Sequence, residues 1–104
     1  MHRLAFKMKL HEGQGAEYKR RHDALWPELR DLLKNTGISN YSIFLDEETN
    51  ILFGVLNVDE ATALDDLPKN PVMRKWWTYM KDLMVCNSDH SPVSVLLKEV
   101  FYLE

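Results

Sequence analysis

A tyrosine, a histidine and a tryptophan lie one helical turn apart near the N-terminus. His22 follows Tyr18 by four residues and precedes Trp26 by four, and this spacing places side chains together on one helical face. An imidazole has an unperturbed pKa of about 6.5, so it can give and take protons near neutral pH. The same stripe would also suit a core histidine whose nitrogens bond to neighbours, so the pattern alone leaves both interpretations of His22 open.

The adjacent pair Trp76 and Trp77 is a second candidate feature. Neighbouring helical residues point about 100° apart, so both indoles can be buried only where the helix is covered over a wide arc. They can be core anchors, or they can form a pocket wall that stacks on the C–H face of a sugar and donates N–H groups to its hydroxyls. Tyr41, in the predicted second strand, could add a phenol from the floor of such a pocket.

Composition and motif content argue against several classes of function. The formal net charge is -3 with both signs interspersed, whereas nucleic-acid binding needs a clustered positive surface. The basic run at 19–21 is interpreted as a solvated helix face. Cys86 is the single cysteine, so no intrachain disulfide can form, which fits a reducing compartment. No apolar run approaches the ~20 residues of a membrane span.

The chain also lacks the sequence signatures of metal and nucleotide sites. Its four histidines are widely spaced, with no cysteine or acidic partner at a ligand interval. It has no phosphate-binding glycine loop, dinucleotide fingerprint or serine elbow. We therefore expect a cytoplasmic protein without metal or cofactor, and cofactor-free acid–base chemistry remains open to it.

The hydrophobic patterns predict the elements that must position these residues. Period-two alternation indicates a strand over 3–10, and a helical period indicates a helix over 16–34, kinked or restarted at Pro27. Two β-rich runs follow at 41–46 and 51–58, separated by a turn of hairpin length.

The second half of the chain predicts two helices and a strand. A short helix is expected over 59–67, with Asp59 as its cap and Pro68 closing it. A longer helix begins near Pro71 and extends through the apolar positions up to Met84. A final strand is expected over 95–103.

The resulting order of elements is that of the ferredoxin-like βαββαβ arrangement, an α+β fold whose helices lie on one face of an antiparallel sheet. Tyr41 and Ile43 point to one side of this sheet, and Phe44 and Phe53 point to the other, so both faces need cover. A twofold dimer is the commonest cover for the face without helices. We expect one domain, residues 1–104, that forms a homodimer.

Taken together, these segments resemble the L-rhamnose mutarotase family. The matching stretches are EYKRRH at 17–22, WPEL at 26–29, NYSI at 40–43, LF at 52–53, RKWW at 74–77, SPVS at 91–94 and EVFY at 99–102. They extend over the whole chain, and the combination of the Tyr–Arg–His block, the Trp–Pro pair and the double tryptophan is specific.

The resemblance implies a dimeric α+β barrel that interconverts the α and β anomers of L-rhamnose, an isomerase reaction without a cofactor. In such enzymes the histidine matching His22 is the proton donor. The residues matching Tyr18, Tyr41, Trp76 and Trp77 contact the sugar, and this chain keeps all five.

The chain departs from the family pattern at 86–90. From the resemblance we expect the family to have a proline near position 88 and an uncharged residue at position 90, where this chain has Ser88 and His90. Two other functions remain open on the residues. A cofactor-free monooxygenase-like enzyme on the same scaffold would also use an aromatic site with one histidine, but it would consume oxygen. In a non-catalytic ligand-binding or dimerisation domain, Tyr18, His22 and Trp76 would serve packing only.

Overall fold

Four antiparallel strands carry a helical layer on one face in the computed structural model, which describes residues 1–104. The strands are β1 (His2–Lys9), β2 (Ile38–Asp46), β3 (Ile51–Val58) and β4 (Ser94–Leu96), in the spatial order β2-β3-β1-β4. The helices are α1 (Gly15–Asp23), α2 (Pro27–Asn35), a 3-10 helix (Ala61–Lys69) and α3 (Pro71–Met80). The predicted α+β class and antiparallel sheet are confirmed. None of the helices has the length and apolar character needed to cross a bilayer.

Pro27 divides the helix predicted over 16–34 into α1 and α2. Proline is tolerated in the first turn of α2, where its missing N–H has no helical acceptor. Trp26 takes an extended backbone, with φ -61° and ψ 133°, as the residue before a proline prefers. The Trp26 ring therefore leaves the line of α1 and packs edge-on against Trp76, with centroids 5.0 Å apart. Gly37 follows α2 at φ +92°, a left-handed conformation that commonly ends a helix.

The sheet register separates a helix-covered face from an uncovered one. On the covered face, Phe6 of β1 lies opposite Gly54 of β3, and a Cβ at Gly54 would collide with the Phe6 ring. A β-bulge lies between Ser39 and Ser42, and Asn40 within it has φ 49°. Because the bulge takes up one extra residue, Tyr41 points to the covered face.

The short helix after β3 differs in type and in its cap from the prediction over 59–67. It is a 3-10 helix that begins after Glu60 without a side-chain cap, and Pro68 lies inside it. Asp59 is not its cap, because the cap position is Glu60; the Asp59 N–H instead donates to the carbonyl oxygen of Gly37 at 3.1 Å. Asp59 thus continues the pairing of β3 with the start of β2.

The last helix begins where the sequence predicts and ends earlier. Asn70 caps α3 by accepting a hydrogen bond from the Val72 N–H at 2.9 Å, and Pro71 occupies the first turn. The helix ends at Met80, and Met84 is instead buried in a following segment that forms a bridge with Leu10.

The strand predicted over 95–103 is wrong for most of its length. β4 contains three residues, Ser94–Leu96, which pair with β1. Its last hydrogen bond to β1 is from the Leu97 N–H to the Ala5 carbonyl oxygen at 2.8 Å. The apolar residues at 100–103 follow one another without the alternation of a half-buried strand, and they remain exposed at the sheet edge.

Candidate active site

A cleft of about 1580 Å³ lies between the helical layer and the covered face of the sheet. It is lined by all four helices, by the three long strands and by part of the segment at 87–94. The residues that the sequence singled out, Tyr18, His22, Tyr41, Trp76 and Trp77, all line this cleft. The structure therefore brings together side chains that are up to 59 positions apart in the chain (18 to 77).

The imidazole of His22 is oriented by the backbone of its own helix. Its Nδ1 lies 3.0 Å from the carbonyl oxygen of Tyr18, one turn earlier in α1. A carbonyl oxygen can only accept, so Nδ1 carries the hydrogen and donates it. In the neutral ring Nε2 then has a free lone pair, and this is the nitrogen that can exchange a proton with a ligand in the cleft.

The surroundings of His22 favour the neutral ring. Its centroid lies 4.3 Å from that of Tyr18 and 5.3 Å from that of Trp76, whose ring is nearly perpendicular at 86°. Burial lowers the pKa of His22 below its ordinary value, although the Tyr18 carbonyl and the charge of Asp23 partly oppose this shift. The imidazole is therefore a proton acceptor at neutral pH, and it becomes a donor after it has taken up a proton.

Two phenols share the cleft with His22 and remain protonated. Burial raises the pKa of Tyr41 to about 12. Burial also raises the pKa of Tyr18, and the nearby Tyr41 adds to that shift. Tyr41 is 39% exposed as a residue, but this exposure is to the cleft, where surrounding atoms still hinder ionisation. Both hydroxyls can thus donate hydrogen bonds to a ligand's oxygen atoms at neutral pH.

Phe6 supports Tyr41 from the sheet, and no local sequence pattern indicates this role. The two rings meet edge to face, with centroids 6.1 Å apart and planes at 67°. The Phe6 ring occupies the space left by the missing side chain of Gly54. Only the register of β1 against β3 reveals this contact, since a lone strand glycine does not specify its partner.

The two adjacent tryptophans occupy different environments. Trp76 is 5% exposed, and its ring packs against those of His22, Trp26 and Tyr79. Trp77 is half-buried and also lines the cleft. Trp76 is therefore mainly a packing anchor behind the imidazole, and Trp77 has more surface left for a ligand.

Two other residues near the cleft were missed or misinterpreted from the sequence. The interpretation of 19–21 as a solvated face is wrong for Arg21, whose side chain is only 13% exposed. His90 lines the cleft with φ 71°, and its Nδ1 lies 3.2 Å from the Thr78 hydroxyl. A non-glycine residue at positive φ is an uncommon conformation that the local sequence does not reveal. No cluster of histidine, cysteine and acidic side chains is arranged to hold a metal ion.

Comparison with known proteins gives a consistent result. The family model described as L-rhamnose mutarotase matches residues 3–103. The chain is 57% identical to the L-rhamnose mutarotase of Formosa agariphila over 104 residues, which is all of both chains. It is 57% identical to the L-rhamnose mutarotase of Brucella anthropi over 101 residues, 97% of this chain and 95% of that one. A crystal structure of the Formosa agariphila L-rhamnose mutarotase superposes with a TM-score of 0.94 at 56% identity and covers all of both chains.

Proposed function

The chain belongs to the L-rhamnose mutarotase family, and we propose that it interconverts the α and β anomers of L-rhamnose with His22 as the proton-transferring residue. The observation that carries the role of His22 is the hydrogen bond from its Nδ1 to the Tyr18 carbonyl. This bond leaves Nε2 free beside two protonated phenols. Tyr18, Tyr41, Trp76 and Trp77 are the proposed sugar contacts, and the 6-methyl group of rhamnose suits an indole wall.

A single nitrogen can serve both proton transfers of ring opening. Nε2 takes the proton of the anomeric hydroxyl, the bond from C1 to the ring oxygen breaks, and its electron pair remains on that oxygen. The ring oxygen then takes the proton back from the imidazolium, so His22 is the proton donor in this step. Both oxygens are bonded to C1 and are therefore within reach of one nitrogen. Rotation about C1–C2 and reversal of the two transfers close the other anomer.

The lowered pKa of His22 predicts the sign of the pH dependence. We expect kcat/KM to rise with pH through this pKa and to level off by neutral pH, because the neutral imidazole starts the reaction. The measurement is enzyme-catalysed exchange between about pH 5 and 8, after subtraction of the buffer-catalysed rate. Tyr41→Phe is the control: a phenol with a pKa of about 12 cannot cause this acidic limb. A kcat/KM that falls with rising pH would show that the reaction begins from the imidazolium.

Exchange NMR on the anomeric protons of L-rhamnose tests the function itself. The α and β signals should exchange faster in the presence of protein, and the acceleration should be proportional to protein concentration. Absence of acceleration would contradict the proposed function. Oxygen uptake with a conjugated substrate would instead support the monooxygenase-like alternative.

We also propose that the uncovered face of the sheet packs against a second copy of the chain, which would complete the dimeric α+β barrel. On this face Phe44 is 61% exposed and Val95 51% exposed. After β4, at the edge of the sheet opposite β2, Val100, Phe101 and Leu103 are each exposed by 78% to 88%. Exposed apolar side chains in this number are unfavourable in water, and a twofold partner would present the same face in return.

Phe44→Lys is expected to convert a homodimer to monomer. A lysine at this position would place a charge in the proposed apolar interface, opposite Phe53 of the neighbouring strand. Sedimentation velocity of wild type and variant is the measurement. Glu28→Lys, an exposed change on the outer side of α2, is the matched control and should leave the dimer intact. A monomeric wild type, or a Phe44→Lys variant that stays dimeric, would contradict this interface.

Strands from both ends of the chain, β1 and β4, pair in one sheet. This pairing supports the inference that residues 1–104 act as a single mutarotase domain. The cytoplasmic location and the independence from metal ions and cofactors stay predictions from the sequence.

A further inference from the structure

Arg21 makes the most extensive set of polar contacts in the protein. Its Nη1 and Nη2 form a fork with the Asp82 carboxylate at 2.9 and 3.1 Å. Its Nε donates to Glu17 at 2.7 Å, and Nη1 also donates to the Tyr79 carbonyl oxygen at 2.7 Å. The guanidinium carbon lies 4.6 Å from the centroid of the Tyr79 ring. Four separate contacts hold one side chain, which is only 13% exposed.

These contacts join two elements that are far apart in sequence. Glu17 and Arg21 belong to α1, Tyr79 lies in the last turn of α3, and Asp82 lies two residues after the end of α3. The Tyr79 carbonyl is one of the last in its helix, where the helix itself supplies no N–H donor. A cation at this helix end also interacts favourably with the helix dipole. Arg21 therefore fixes the distance and rotation of α1 against the C-terminal end of α3.

The proposed proton-transfer residue adjoins this junction. His22 is the next residue of α1, and its ring meets the Trp76 ring of α3 at 5.3 Å. A rotation of α1 about its axis would move the Nε2 of His22 within the cleft. Tyr41 and Trp77, which lie on β2 and α3, would stay in place because they do not belong to α1.

We propose that Arg21 is a positioning residue for His22: through Asp82 and Tyr79 it sets where Nε2 lies relative to the sugar. This inference rests on the proposed function and adds a specific requirement to it. A misplacement of a catalytic group by about 1 Å can lower a rate on the order of 10²-fold. The loss of the Arg21 contacts should therefore lower kcat more than it changes KM. Tyr18 would move with α1, but the sugar contacts Tyr41 and Trp77 belong to other elements.

The test compares Arg21→Lys, Arg21→Gln and Asp82→Asn with wild type in the anomer-exchange assay. Arg21→Lys keeps the charge but loses the two-pronged geometry, so we expect kcat to fall about tenfold. We expect the kcat of Arg21→Gln to be lower still, by about 10²-fold relative to wild type. The double variant Arg21→Gln with Asp82→Asn should be no slower than Arg21→Gln alone, since both changes break the same contact. Arg20→Gln is the matched control: Arg20 also bonds to Glu17 but has no hydrogen bond to Asp82.

A second readout follows the imidazole directly. The His22 ring protons lie among the rings of Tyr18 and Trp76, so their NMR signals should be displaced by ring currents. In Arg21→Lys these signals should move towards ordinary histidine positions, and in Arg20→Gln they should stay in place. This measurement needs no substrate.

The outcomes separate the failure of this inference from the failure of the proposed function. If wild type does not accelerate anomer exchange, the proposed function fails, and unchanged His22 signals in Arg21→Lys would then also refute positioning. If wild type is active and the Arg21 variants lower only the melting temperature, with kcat and the His22 signals unchanged, Arg21 is structural and the inference is overturned. A fall in kcat that exceeds the change in KM, together with a change in the His22 signals of Arg21→Lys, supports the inference.

Discussion

His22→Ala is expected to lower kcat for anomer exchange by about 10²–10⁴-fold, the usual contribution of a general acid–base residue. The methyl group can neither accept the anomeric proton nor return one to the ring oxygen. Tyr18 and Tyr41 cannot replace the imidazole, because burial raises the pKa of both phenols. A phenol that holds its proton more tightly than usual is a poor donor, and its conjugate base is scarcely populated at neutral pH.

The His22→Ala variant should fold, since the side chain is only partly buried and the change removes one hydrogen bond to a carbonyl in its own helix. Exchange NMR gives kcat, and circular dichroism gives the melting temperature. His11→Ala is the matched control, because His11 is exposed and does not line the cleft. An active His22→Ala variant would refute the catalytic role. An inactive wild type whose His22→Ala variant only loses stability would favour the non-catalytic alternative.

The parts of the fold that the sequence predicts best are those with strong periodic patterns. β1 lies within about one residue of the predicted strand because burial of one face enforces alternation. β3 matches the predicted run at 51–58, whose β-branched and aromatic residues favour a strand. The break at Pro27 was expected from the ring and its effect on Trp26. The end of the chain differs most from the prediction, because the apolar run at 100–103 pairs with no strand that would impose a period.

The sequence predicts only part of the candidate site, because local patterns do not reveal contacts between residues that are far apart in the chain. Helical phase alone places Tyr18 beside His22, as the structure shows. The contact between Arg21 and Asp82 joins residues 61 positions apart, and no local pattern distinguishes Arg21 from its exposed neighbour Arg20. Sequence reasoning therefore identified the side chains within the cleft and missed the contacts that hold its elements together.

Trp76→Ala and Trp77→Ala are expected to affect different properties, although the two residues are adjacent. Trp76 is 5% exposed and packs on three other rings, so its removal leaves a large cavity. We expect the free energy of unfolding to fall by about 3–5 kcal/mol. That is a large part of the roughly 5–15 kcal/mol that stabilises a typical domain. Urea unfolding, monitored by circular dichroism, measures this change.

Trp77→Ala should lower the stability much less, because its indole is only partly buried. We expect this variant to bind the sugar more weakly: its KM for L-rhamnose should rise about twofold to tenfold, because an aromatic contact is lost. The matched controls are Trp76→Phe and Trp77→Phe, which keep a ring at each position and should restore part of the stability and part of the affinity, respectively. Equal destabilisation by the two alanine variants, or an unchanged KM in Trp77→Ala, would contradict this division. The division follows from the helix, because residues about 100° apart on α3 face different surroundings. The Trp76 indole mainly supports the imidazole, and the Trp77 indole offers more surface to the substrate.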